Sequence, residues 1–154
     1  MYDFTLLAHS WLRWLVLLAA LAAVARAVSG VSTRRPWTPI DERAGQWLTG
    51  ALDLQMLLGL LLYIFLSPVN KSGFVDMAAA MRAPDVRFFL ADHPVGMIIA
   101  IALAHVGRTR IRKAADSESR HKRALLFFGF ALVMILLSIP WPFLAAPRPL
   151  FRGL

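Results

Sequence analysis

Four long apolar runs separated by shorter polar connections set the pattern along the chain. Their approximate limits are residues 4–29, 44–66, 84–107 and 120–139. Each is close to the roughly 20 residues an α-helix needs to cross a bilayer, which predicts an all-α, four-helix transmembrane bundle forming one domain. Gly30 is the expected stop of the first span, before the turn-rich connection "STRRPWTPIDER". "SPVNKSG" ends the second span. The amphipathic stretch "FVDMAAAMRA" that follows suits a segment lying on the membrane surface.

The third span is the hardest to delimit. Pro84 fits the first position of a helix, with Asp85 favourable in its first turn. Starting there, "DVRFFLADHPVGMIIAIALAHVG" reads as one helix interrupted by Pro94. A start at Pro94 leaves about fourteen residues, too few to cross. "RTRIRKAADSESRHKR" is a basic loop, and "PWPFLAAPRP" ends the fourth span with prolines. Trp37, Trp47 and Trp141 fall at expected interfaces.

Composition supports this pattern. The 154 residues are 58% hydrophobic, with mean hydropathy +0.60 and a formal net charge of +8. A soluble domain has about 45–50% apolar residues. The positive charge gathers in two loops beside apolar runs, which the positive-inside rule explains without nucleic acid. Eleven Lys and Arg lie in or beside the first and third connections, against six on the other side, Arg148 and Arg152 among them. This predicts a bacterial inner-membrane protein with both termini periplasmic. The first span lacks the basic lead of a signal peptide and is expected to be retained. With no cysteine, disulfides, thiolate metal sites and c-type haem attachment are excluded.

Few residues offer chemistry. His9 and His93 fall at similar depth on two spans running in the same direction. Two imidazoles so placed can hold a haem iron axially inside a bundle. Arg13, one turn from His9, suits a haem propionate or snorkels outward. The plainer readings place His9 among headgroups and His93 at the Pro94 bend. Asp53, costly near a helix centre, is expected to face the interior and pair with His105 or Arg13. Gln55 and His105 are further polar candidates at about that level. His105 lies 120° around the helix from His93, so no second haem is expected. His121 is expected to be solvated in its basic loop. Met56, Met97 and Trp14 read as packing, and Gly59, Gly96 and Gly129 as points of close helix approach. No phosphate loop, paired catalytic carboxylates or nucleophile–base pair is visible.

"HSWLRWLVLL", "DLQMLLGLLLY", "RFFLADHPVGMIIAIALAHVGR" and "IPWPF" resemble a family of small four-helix bacterial membrane proteins labelled cytochrome b-like. The resemblance touches all four spans. Its relatives carry a His-x-Gln pattern in the second span, where this chain has "DLQ" with Asp53 in the histidine's place. The resemblance implies electron transfer and leaves His9 and His93 as the pair carried over. The expectation is a haem b protein exchanging electrons with a quinone. The alternative is a cofactor-free subunit of a larger respiratory or photosynthetic complex, or of a homo-oligomer.

Overall fold

The computed structural model describes residues 1–143 and 146–151, so Arg152 lies outside the described residues. Four long helices are apolar enough to cross a membrane: α1 (Tyr2–Thr33), α2 (Pro39–Leu66), α5 (Pro84–Arg112) and α6 (Ser117–Ser138). The short helices α3 (Pro68–Val75) and α4 (Met77–Arg82) link α2 to α5. The chain is a multi-pass membrane protein built as a four-helix bundle. In place of one surface segment in the long connection there are two, broken at Asp76, whose carboxylate accepts from Ala79 N–H (2.9 Å) to start α4.

Neighbouring helices run antiparallel in the order α1, α2, α5, α6 around the bundle, with α1 and α5 on one diagonal. Small residues make this packing close. On α1, Val16, Ala20, Ala23, Ala27 and Gly30 form a buried stripe at helical spacing. On α5 the stripe is Gly96, Ala100, Ala104 and Gly107. It packs on α6, where Gly107 meets Phe127 and Gly96 meets Ser138 and Met134. Without a water-driven force between helices in lipid, backbone approach over such residues supplies the contact.

Two glycines are spent differently from expectation. Gly30 does not stop α1, which runs to Thr33 and turns at Arg34 with φ 53°. Instead, a Cβ at Gly30 would collide with the ring of His121. Gly129 makes no close approach, since nothing lies within 4 Å of where its Cβ would be. Gly107 does, against Phe127 Cβ.

The basic end is fixed by ionic and capping contacts. In "TPID", Thr38 and Asp41 form a reciprocal capping box, with Pro39 opening α2. Asp41, 3% exposed, also accepts from Arg26 Nε (2.7 Å) and from two Arg35 nitrogens (2.7 Å each). The arginines that mark the loop by charge therefore also tie α1 to α2. Asp116 opens α6. Hydrogen bonds from Ser119 N–H (2.8 Å) and then Ser119 Oγ (2.9 Å) hold its carboxyl below the usual carboxylate range.

The contrast between glycines gives a stability test. Gly107→Ala pushes Phe127 at its inflexible Cβ and is expected to cost about 1–3 kcal/mol. Gly129→Ala meets open space and gains up to about 1 kcal/mol of helix propensity. Thermal unfolding of the two variants in one detergent should move the midpoint in opposite directions.

Candidate functional site

A cavity of about 360 Å³ opens at the end of the bundle that carries the termini. His9 and Arg13 of α1, Gln55 and Gly59 of α2, His93 of α5 and Arg148 of the C-terminal segment lie on its wall. Its construction begins with Pro94. A proline at this position has no N–H to return to the carbonyl of Leu90. The helix answers with a wide turn over Phe88–Asp92, and the Tyr63 hydroxyl donates to Leu90 O at 2.9 Å. A matching wide turn in α2 spans Leu62–Leu66, where Tyr63 sits. Such turns shift which residues face inward and recur at functional sites.

His93 follows the wide turn directly, and its Nδ1 lies 2.7 Å from the carbonyl of Ser138. A carbonyl only accepts, so Nδ1 carries the proton and Nε2 is left with a free lone pair. Ser138 ends α6 before "IPWP", and its carbonyl is one of those a helix leaves unpaired at its C-terminus. The same proline-rich stop that terminates α6 thus orients the histidine.

His9 reaches His93 across the diagonal of the bundle, with ring centroids 6.2 Å apart and planes at 75°. Gly59 makes room for His9: a Cβ there would lie 3.3 Å from its Cε1. Gln55 Nε2 donates to His9 O at 3.0 Å. Among the described residues, His9 Nδ1, Gln55 Oε1 and Arg13 Nε on this wall are buried without hydrogen-bond partners, as are Arg108 Nε and both ring nitrogens of His121 at the basic end. Leaving buried polar atoms unpaired is costly. Three of them on one cavity wall are a reason to look for a ligand there.

Two guanidinium groups complete the wall. Arg13 Nη2 donates to Leu150 O (2.6 Å), which also accepts from Trp14 Nε1 (3.2 Å). Phe151 stacks on Trp14 at 5.2 Å, so residues 146–151 fold back along α1. Arg148 stands 4.7 Å over the ring of Phe89.

The structure brings His9, His93, Arg13 and Gln55 together and sends Asp53 and His105 elsewhere. Asp53 and Gln55 are two residues apart, so they point about 200° apart on α2. Gln55 is 6% exposed and faces the cavity. Asp53 leaves the interior, contrary to expectation. Its Oδ1 meets His105 Nε2 at 2.7 Å on the bundle surface, with side chains 46% and 47% exposed. Arg13 is not its partner. His121 is also a correction: it is 0% exposed, packed 4.9 Å from Trp37 and against Gly30. Met56 and Met97 line the cavity through apolar contact.

Sequence reasoning missed Tyr63 and Arg148. A donor for the carbonyl freed by Pro94 was a signal available for Tyr63. None existed for Arg148, whose place depends on how the last residues fold back.

No protein-family model, no curated protein and no solved structure matches this chain.

Tyr63→Phe keeps the ring and removes only the donor to Leu90 O. The expected loss is about 1–3 kcal/mol, the cost of an unpaired buried carbonyl. It is read as a lowered unfolding midpoint in detergent. Tyr2→Phe, which removes a hydroxyl that makes no hydrogen bond among the described residues, should leave the midpoint in place.

Proposed function

We propose that this chain is a b-type haem electron-transfer protein of the bacterial inner membrane, with His9 and His93 as axial ligands. The observation that carries the reading is the imidazole pair across the bundle diagonal. An imidazole nitrogen sits about 2 Å from a bound transition metal. The ring centroids are 6.2 Å apart, close enough that both imidazoles could hold one iron. The tautomer of His93, with Nδ1 held by a backbone carbonyl, is the one that offers Nε2 to a metal.

The ligand count favours a group that brings its own equatorial ligands. Among the described residues no set of three or more His, Cys, Asp or Glu could hold a bare metal ion. Two imidazoles suffice for a haem, whose porphyrin fills the remaining positions. Its two carboxylates match the two cavity cations, Arg13 and Arg148. When bound, the haem supplies a one-electron couple. His9 and His93 would hold it, the apolar lining would limit water around it, and Arg13 and Arg148 would place positive charge beside it. The positive-inside count puts both termini and the cavity on the periplasmic side. A cofactor there lies within reach of quinone in the lipid, the expected exchange partner.

The purified protein should show a Soret band and a sharp reduced α-band of six-coordinate haem b. His9→Ala and His93→Ala should each degrade the low-spin spectrum, while His105→Ala and His121→Ala should leave it intact. Arg13→Leu should lower the potential, because losing a nearby positive charge favours the more positive oxidised form. Colourless protein from haem-replete cells would replace this reading with that of a structural subunit. Orientation is checked separately by reporter fusions. Fusions after Arg35 and within residues 114–119 should report cytoplasm, and one within residues 75–80 should report periplasm. The reverse pattern would put the cavity on the cytoplasmic side.

A further inference from the structure

Exposure is uneven around the cavity. Val16 of α1, Ile135 of α6 and Ile139 just beyond it line the cavity and are buried. On the other side Leu60 of α2 and Val95 and Ile98 of α5 also line it, yet they are 45%, 56% and 60% exposed. There the wall between the cavity and the outer surface is one side chain thick. The three stand at one level. Tyr63 meets Leu90, and Asp53 meets His105. Leu60 falls between Asp53 and Tyr63 on α2, and Val95 and Ile98 fall between Leu90 and His105 on α5. Leu57 and Ile64 of α2 and Ile99 of α5 are exposed beside them, so the surface around this thin wall is as apolar as the lipid it meets.

The seam at this wall is clasped above and below. α2 and α5 pack less closely than the other neighbouring helices. Ten residues of α2, a rise of about 15 Å, separate Asp53 from Tyr63. Between the contacts these two make, no hydrogen bond joins α2 to α5 among the described residues. Rotamer changes at Leu60, Val95 and Ile98 therefore break no hydrogen bond, and lipid tails can take the place of the contacts they give up. The end that carries the termini is tied down instead. Arg148 and Pro149 form part of the cavity wall there, and the next residue, Leu150, accepts from Arg13 and Trp14. Widening the cavity at that end parts hydrogen bonds, whereas widening it at the seam parts none.

We infer that the cavity is filled from the bilayer, through a window between α2 and α5 at Leu60, Val95 and Ile98, by an apolar molecule that carries an anionic group. The inner walls name that chemistry. Arg13 and Arg148 line the cavity, and Arg13 Nε is buried with no hydrogen-bond partner. An acidic group answers these cations. Most of the remaining lining is apolar and suits a body that partitions into lipid. A small water-soluble anion meets the cations and leaves that lining unfilled. Haem and a fatty acid share the required chemistry. As a route for haem the window rests on the reading above. As an opening it rests on the cavity walls alone, and the two fail separately in the test.

Because the chain has no cysteine, a single introduced thiol reports one position. Val16→Cys puts it on the buried wall, where a reagent arrives through the cavity. Phe130→Cys puts it on the exposed surface of α6, as a control for reagent in the lipid. Each variant, in lipid vesicles, meets an alkyl maleimide dissolved in the bilayer or a sulfonated maleimide in the water. Val16→Cys should react about ten-fold faster with the alkyl reagent, since a sulfonate must shed its water to enter. Adding Leu60→Trp and Ile98→Trp fills the window and should slow that reaction about ten-fold, with Phe130→Cys unaffected. Retained helical signal and unfolding midpoint show that the chain still folds. A Val16→Cys rate indifferent to the tryptophans would overturn the inference. So would equal rates with the two reagents, or no alkyl reaction at Val16→Cys where Phe130→Cys reacts. The entrant is read by dissolving oleate or haemin in the vesicles. Oleate is followed by protection of Val16→Cys, and haemin by growth of a Soret band on haem-depleted protein with Val16 in place. Soret growth slowed by the tryptophans supports the window and the haem reading together, and growth indifferent to them overturns the window. Protection by oleate with no Soret band keeps the window and ends the haem reading. Neither signal would overturn the inference, since nothing of the stated chemistry then enters.

Discussion

A bilayer core contains no water to hydrogen-bond a stray polar group, and most of this structure is arranged around that constraint. Helices satisfy their own backbones, so the interruptions are where side chains must intervene. Pro94 frees the carbonyl of Leu90, and Tyr63 takes it. The end of α6 frees the carbonyl of Ser138, and His93 takes it. These two repairs cross-link α2 with α5 and α5 with α6 beside the cavity. They also decide which way His93 faces and which nitrogen carries its proton. The site is thus a by-product of backbone accounting: a proline placed next to a histidine creates both the bend and the need that orients the ring.

The same constraint separates the polar groups into those with partners and those without. Asp41, buried at the basic end, has two arginines and a threonine around it. His9, Gln55 and Arg13 each keep one buried polar atom unpaired. The first arrangement is structural, because each atom is answered within the chain. The second is open, and its open atoms share one wall of one cavity, whereas the two unpaired ring nitrogens of His121 are sealed in packing at the basic end. Asp53 and His105 form a third kind, paired with each other on the bundle surface, with His105 less than one turn from Arg108 on α5.

Packing in the basic half shows how little side-chain volume the bundle uses. Alanine and glycine occupy most of the buried positions on α1 and α5. Where a larger ring must be accommodated, a glycine stands opposite it: Gly30 for His121, Gly107 for Phe127, Gly59 for His9. His121 is the instructive case. By sequence it belongs to a run of charge, "ESRHKR", yet α6 begins at Ser117 and carries it one full turn into the bundle. Its neighbours in sequence remain outside because they lie on other faces of the same helix.

The sequence by itself determined the number of helices, their approximate limits and the charge asymmetry between the two ends. These follow from hydrophobic run length and from lysine and arginine placement, which are local properties of the chain. It also determined that His9 and His93 lie at matching depth, since depth is a count of residues from a helix end. Only the tertiary structure decided azimuth and partnership. Asp53 and Gln55 are two residues apart in every account of the sequence, but which of them faces inward depends on how α2 is rotated against α1 and α5. That rotation is set by the summed packing of all four helices. Likewise Arg148 reaches the cavity only because residues 146–151 fold back against Arg13 and Trp14. Helical period fixes angles between residues of one helix, and only contact with the other helices fixes the zero from which those angles are measured.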